Sequence, residues 1–225
     1  MKLEIVTQTA DETALVKELG ADRVELVSGL TEGALTPTFG SLKGIAENVK
    51  LPAYCMIRPH NLGFVYSDGD IQEMMEDIIN QRPYASCFVL GCLTKDDQID
   101  EENLKKLLSV TGDVPVVFHM AIQRTRDYDE GVRIVAKYPQ IKRILTNFQM
   151  KDVRNNVEAI KEKYAFVKSL GLEVTFAGGV DLDTMPILKE IGLDSCHVSS
   201  AARIDHSAKN RLDADKIRKM VLACH

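Results

Sequence analysis

A chain of 225 residues, 45% hydrophobic and 27% charged, carries enough apolar material for one full core, and its length favours a single domain over residues 1–225. A net charge of −5 with both signs interspersed excludes the basic footprint of a nucleic-acid or membrane-surface binder, so the expected partner is a small molecule or another protein. Five cysteines without CxxC spacing read as reduced thiols. The opening Met1-Lys2-Leu3-Glu4-Ile5-Val6 lacks a signal peptide's apolar region, and no apolar run approaches the roughly 20 residues that span a bilayer; a cytoplasmic protein is expected.

Strand-like and helix-like patterns alternate throughout. Residues 3–6 read as a strand, and Thr9 with Glu12 gives a helix-start signature before Leu15, Leu19 and Gly20. Residues 23–27 are the second strand; after a loop with Gly29 and Gly33, Thr36-Pro37 predicts a helix start, with Ile45, Ala46 and Val49 on the inner face. The third strand, 53–58, ends in Arg58-Pro59-His60. Ser67 and Asp70 predict the cap of a helix whose Ile71, Met74, Met75 and Ile78 fall at helical spacing, which makes those methionines core residues rather than metal ligands.

Residues 87–91 form the fourth strand, followed by a helix from about Asp100 with Leu104, Leu107 and Leu108; residues 116–119 form the fifth, with Asp127 and Glu130 opening the next helix. Residues 143–146 are the sixth strand, and Val153, Val157, Ile160, Tyr164 and Val167 predict one long helical face. Residues 174–177 are the seventh; Gly178-Gly179-Val180-Asp181 turns into a helix starting at Asp181 with Leu188 and Ile191. Residues 196–198 are the eighth, and Ile217, Met220 and Val221 mark the last helix.

Eight strand–helix units of about 28 residues predict an α/β fold, a single-domain (β/α)8 TIM barrel. An open doubly wound sheet is disfavoured because no strand leads into GxGxxG or GxxxxGK[ST].

Strand alternation assigns the interior. With Leu3 and Ile5 towards the helices, Glu4 and Val6 face inward; Val24 and Leu26 leave Arg23, Glu25 and Val27 inward. Arg58 shares its face with Met56 and Tyr54, His119 is in phase with Val117, and His197 with Ser195 and Ser199. Glu4, Arg23, Glu25, Arg58, His119 and His197 are therefore the candidate pocket, at the barrel end where such folds keep their chemistry. Arg23 with Glu25, or Arg58 with Glu4, would serve equally as structural ion pairs. Gly178, Gly179, Ser199 and Ser200, after the last two strands, are candidate anion-binding positions. Met120, Cys92 and Cys196 offer soft donors of the kind Cu(I) prefers, although Cys196 and Cys55 are expected to point into the helix layer.

Gly20-Ala21-Asp22-Arg23-Val24-Glu25-Leu26 with Leu30-Thr31-Glu32-Gly33-Ala34-Leu35-Thr36-Pro37, and Met56-Ile57-Arg58-Pro59 with Gly63-Phe64-Val65-Tyr66-Ser67, resemble the distinctive blocks of the CutC family of copper homeostasis proteins; Phe118-His119, Arg143-Ile144-Leu145-Thr146 and Gly178-Gly179-Val180 are similar to others. The resemblance implies a cytoplasmic, often self-associating barrel linked to copper, with His119, His197, Cys92 and Met120 as the ligands to test. The chain departs from the family at Val6 and Val27, where many relatives carry cysteines, and at Asn147-Phe148-Gln149, which replaces a Ser-Gly-Gly turn. Two functions stay open: copper homeostasis with copper ion binding, or an enzyme or sensor for a small polar or anionic metabolite. In the second, Arg58 would hold an anion, His119 or His197 would move protons, and Glu4 and Glu25 would orient them or act as base.

Overall fold

The computed structural model describes residues 1–150 and 152–225. Its centre is a closed barrel of eight parallel strands in chain order: β1 (Lys2–Thr7), β2 (Arg23–Leu26), β3 (Ala53–Met56), β4 (Cys87–Leu90), β5 (Val116–Phe118), β6 (Ile141–Thr146), β7 (Glu173–Ala177) and β8 (Ser195–Val198). β8 pairs with β1 through Leu3–Cys196 and Glu4–His197, which closes the barrel and leaves no sheet edge. The outer ring is α1 (Ala10–Glu18), α2 (Phe39–Gly44), α3 (Asp68–Gln81), α4 (Glu101–Ser109), α5 (Tyr128–Val135), α6 (Val157–Ser169), α7 (Met185–Ile191) and α8 (Ala214–Cys224). No described helix is long and apolar enough to cross a membrane.

Two cores arise from the two faces of the strands. Leu3, Ile5, Val24, Leu26, Phe88 and Phe176 join the helices in the outer core, while Val6, Val27, Met56, Val89, Val117 and Leu145 pack inside the barrel. The expected alternation holds on β1, β2, β3, β5 and β8. Met74 is fully buried on α3, as core methionine requires. All five cysteines are free and buried.

The caps are legible because each is a short side chain accepting a backbone N–H two or three residues on. Thr9, Ser67, Asp100 and Asp127 do so at α1, α3, α4 and α5, and Ser67 with Asp70 forms a reciprocal capping box. Three expected starts move. α2 begins after Thr38, whose Oγ1 accepts from Ser41 N, because Thr36 Oγ1 is taken by Arg58 N at 2.9 Å. α6 begins at Val157, so Val153 is a buried loop residue. α7 comes after Thr184; Asp181 lies before it, its carboxylate accepting the N–H groups of Asp183 and Thr184.

A candidate barrel-mouth site

The inward side chains of β8, β1 and β2 meet in a charge network. Arg23 Nε donates to Glu4 Oε2 at 2.5 Å, and its other arm donates to Thr175 Oγ1 and Ser195 Oγ. His197 Nδ1–H donates to Glu4 Oε1 at 2.8 Å and lies 3.4 Å from Glu25 Oε2. The expected Arg23–Glu25 pair is therefore replaced by Arg23–Glu4, since the register sets Glu4 beside Arg23 and Glu25 beside Val6.

Burial raises the Glu4 carboxyl, but Arg23 and His197 outweigh it and hold the group at about 2. Glu25 has no arginine. Burial pushes it up, His197 opposes and Glu4 adds repulsion, which leaves it at about 7. Burial lowers His197, yet Glu25 and Glu4 carry it above its ordinary value. Glu4 thus anchors the tautomer of His197, while Glu25 stands poised near neutrality with Oε1 buried and unpartnered.

Arg58 and His119 arrive from β3 and β5. Arg58 is 8% exposed and pairs with no carboxylate among the described residues, so the Arg58–Glu4 alternative falls away. Its NH1 donates instead to the carbonyls of Gly33 and Ala34, and its plane lies over the Phe64 ring at 5.0 Å. Gly33 has φ +84°, and a Cβ there would come to 3.0 Å from Arg58 NH1, so glycine is what admits this approach. Arg58 Nε has no partner.

His119 Nδ1 accepts from Ala121 N–H at the start of a short 3₁₀ turn. Burial and then the Arg58 charge lower its pKa to about 3, so the ring is neutral at ordinary pH and its single proton sits on Nε2. That buried N–H has no partner either. Gly91 fixes the ring: a Cβ there would lie 2.7 Å from His119 Nδ1.

Glu25, Arg58, His119 and His197 line one cavity of about 310 Å³ with Met120 and Phe64. Glu4 and Arg23 lie beneath as supports. Gly178, Gly179, Ser199 and Ser200 come together around an adjoining cleft of about 250 Å³ that shares Gly178, His197 and Ser199 with the first; Asp181 and His206 also line it. A larger cavity, about 540 Å³, lies on the outer side of Arg58 between residues 35–39 and α3, lined by Glu73, Asp77 and Asn80. Apart from Arg58 Nε, none of its lining atoms is buried without a partner. Phe64 and the Gly33–Ala34 carbonyls escape a reading of the sequence because neither has a strand period; Gly63 and Gly33 are the only local signals.

Of the four expected copper ligands, His119, His197 and Met120 line one cavity and Cys92 does not join them. Cys92 points into the outer core with its thiol on Asp100 O at 3.5 Å, because it comes one residue after inward Gly91 and alternation turns it out. Burial raises its thiol far above the ordinary range. His119 presents a proton at Nε2 rather than a lone pair. Among the described residues, the one group of three His, Cys, Asp or Glu ligand atoms within 4.8 Å of one another is Glu4, Glu25 and His197. Those hard carboxylates are partnered by a guanidinium and an imidazole, which suits Cu(I) poorly.

The pattern that defines the CutC family matches residues 1–202. A CutC protein of Yersinia pseudotuberculosis is 30% identical over 211 residues, 93% of this chain and 83% of the relative. A human protein named copper homeostasis protein cutC homolog is 30% identical over 210 residues, 93% and 77% of the two chains. The crystal structure of a CutC protein from Streptococcus agalactiae superposes with a TM-score of 0.80 at 27% identity, covering 88% of this chain and 97% of that one. Phosphoribosylanthranilate isomerase from Pyrococcus furiosus, at TM-score 0.62 and 15% identity, shares the barrel fold.

Proposed function

As this chain belongs to the CutC family, whose human relative is named for copper homeostasis, we propose that it serves copper homeostasis indirectly, by binding a small anionic molecule at the barrel mouth rather than a copper ion. One observation carries this reading: three buried polar atoms without protein partners, Glu25 Oε1, Arg58 Nε and His119 Nε2, belong to residues lining a single cavity. A buried polar group left unpaired costs about 1–3 kcal/mol, more when charged, so three together mark places where a ligand supplies the missing partners. Arg58 takes the anion, with two backbone carbonyls and an aromatic face holding it in place. The adjoining cleft at Gly178, Gly179, Ser199 and Ser200 accommodates the remainder of a longer ligand.

The test combines two titrations. Thermal-shift screening of small carboxylates and phosphates is expected to give hits that Arg58→Ala abolishes; hits indifferent to Arg58→Ala, or no hits, overturn the pocket assignment. Cu(I) titration against a competing chelator is expected to give one curve for the wild type and the His119→Ala, His197→Ala double variant. A tighter wild-type site would restore direct copper binding. Five buried free thiols, which stay reduced in the cytoplasm, support a location there. Exposed Phe39 and Ile79, on adjoining α2 and α3, support self-association, which sedimentation velocity of a Phe39→Ser, Ile79→Ser variant measures.

A further inference from the structure

We propose that the barrel mouth catalyses proton transfer at the carbon next to a carbonyl group, with Glu25 as the base, the Nε2–H of His119 as the donor to the carbonyl oxygen, and small carbonyl compounds bearing an anionic group as the substrates. The inference rests on the proposed binding of a small anion and adds a reaction to it.

The geometry supplies the three roles separately. Glu25 leaves β2 and His119 lies just past β5, three strands apart in a ring of eight, so the two groups face the cavity from different sides, with Arg58 beyond β3 between them. Glu25 Oε1 is the one buried carboxylate oxygen of the Glu4, Arg23, Glu25 and His197 network that accepts nothing. A buried carboxylate with a free oxygen and a nearby imidazole is a base held in readiness. His119 has the converse construction. Its Nδ1 is committed to Ala121 N–H, so the ring is a neutral donor whose orientation is fixed by Gly91 and by Phe64, 4.9 Å between ring centroids. A neutral imidazole N–H is a weak acid, so it stabilises a developing enolate oxygen by a strong hydrogen bond without handing over its proton.

In the step itself the C–H bond breaks and Glu25 Oε1 takes the proton. The C–H electron pair becomes the C=C bond, and the carbonyl π pair moves onto oxygen, where His119 Nε2–H receives it. Return of the Glu25 proton to the same carbon regenerates the substrate; return to the former carbonyl carbon gives an isomer when the carbon that lost its proton bears a hydroxyl, whose proton passes to the enolate oxygen as its own C–O bond becomes the new carbonyl. Atoms and charge balance, and no oxidant or reductant enters. Arg58 holds the anionic group and lowers the energy of the enolate by its positive charge. His197, tied to Glu4 through Nδ1, lies 3.4 Å from Glu25 Oε2 and so restrains the Glu25 carboxylate at the cavity wall.

The experiment is solvent exchange. The protein is incubated in D2O with pyruvate, 2-oxobutyrate, hydroxypyruvate and dihydroxyacetone phosphate, binding is measured by calorimetry, and carbon-bound deuterium by proton NMR. At least one probe is expected to bind through Arg58 and to gain deuterium next to its carbonyl. Glu25→Gln is expected to lower that exchange by about 100-fold or more while changing Kd by less than about threefold. His119→Gln is expected to lower it by about 100-fold, and Glu25→Asp, which keeps the carboxylate, to recover part of the rate. Circular dichroism of each variant separates a lost base from a lost fold. A probe that binds through Arg58 but takes up no deuterium, or exchange that survives Glu25→Gln, overturns the proton-transfer proposal and leaves the binding site standing. If no probe binds, the binding assignment fails and the reaction with it.

Discussion

Glu25 is held against its own ionisation. Its carboxyl moves from an ordinary 4.5 to about 7 on folding, so the folded state binds a proton that the unfolded chain has released. The stability cost therefore begins as pH rises past the unfolded value, grows to about pH 7 and is constant above it. Glu25→Gln removes that cost, and a higher Tm than wild type at pH 8, but not at pH 4, is expected from calorimetric melting. A lower Tm at pH 8 would make Glu25 a structural partner of His197 instead. Glu4 has the opposite sign. Held at about 2, it contributes stability that is complete above pH 4.5 and is lost as pH falls towards 2, so Glu4→Gln is expected to flatten the acid limb of the stability curve. His197, raised on folding, contributes below its unfolded value and loses that contribution as pH rises through its folded one. Two carboxylates on neighbouring strands thus differ because one has Arg23 and the other does not.

At the scale of elements, the site depends on the residues just past the strand ends more than on the strands themselves. β4 ends at Leu90, and Gly91 beyond it leaves the space that the His119 ring fills after β5. Gly91→Ala is expected to displace that ring and the neighbouring Phe118, at a cost of about 1–3 kcal/mol seen in urea unfolding, with ligand hits in the thermal-shift screen weakened in parallel. Unchanged hits would show that the ring position is immaterial to binding. The turn after β6 is built against its own residues: Phe148 and Gln149 adopt φ of 58° and 63°, the left-handed region that glycine occupies freely. Phe148 is retained there by packing on Tyr128 and Phe176. That is the physical meaning of the departure from a Ser-Gly-Gly turn at Asn147-Phe148-Gln149.

Across the whole molecule, an ion pair between a buried arginine and a half-buried glutamate ties the last strand–helix unit to the first. Arg203, 1% exposed and just beyond β8, donates through both arms to the Glu12 carboxylate on α1, at 2.8 and 3.0 Å, and also reaches the carbonyl of Val6 at 3.3 Å. Arg203→Ala leaves half-buried Glu12 with only the Gln8 N–H as partner among the described residues. The expected loss is about 1–3 kcal/mol, with a fall in Tm of about 2–4 °C for each kcal/mol, measured by differential scanning calorimetry. Wild-type stability in this variant would mean that closure rests on the β1–β8 hydrogen bonds and outer core alone.

Alternation with a period of two is a local property of each strand, and it is why residues 3–6, 23–27 and 195–199 already declare which side chains face inward; the count of eight strand–helix units declares the closed parallel barrel, and the motif blocks carry the resemblance to the family. That six polar residues face the barrel interior is legible for the same reason as the inward alternation. Their partnerships are not. Whether Arg23 takes Glu4 or Glu25, and whether Arg58 meets a carboxylate or two carbonyls, depend on the register between strands and on loop paths. Arg203 finding Glu12 across 191 residues depends on closure of the ring. The tautomer of His119 is set by one backbone N–H two residues on, placed by a turn with no sequence signature. The sequence alone determined which groups enter the barrel; only the tertiary structure decided which of them are satisfied there, because satisfaction is a matter of ångströms between elements and periodicity carries no information about that distance.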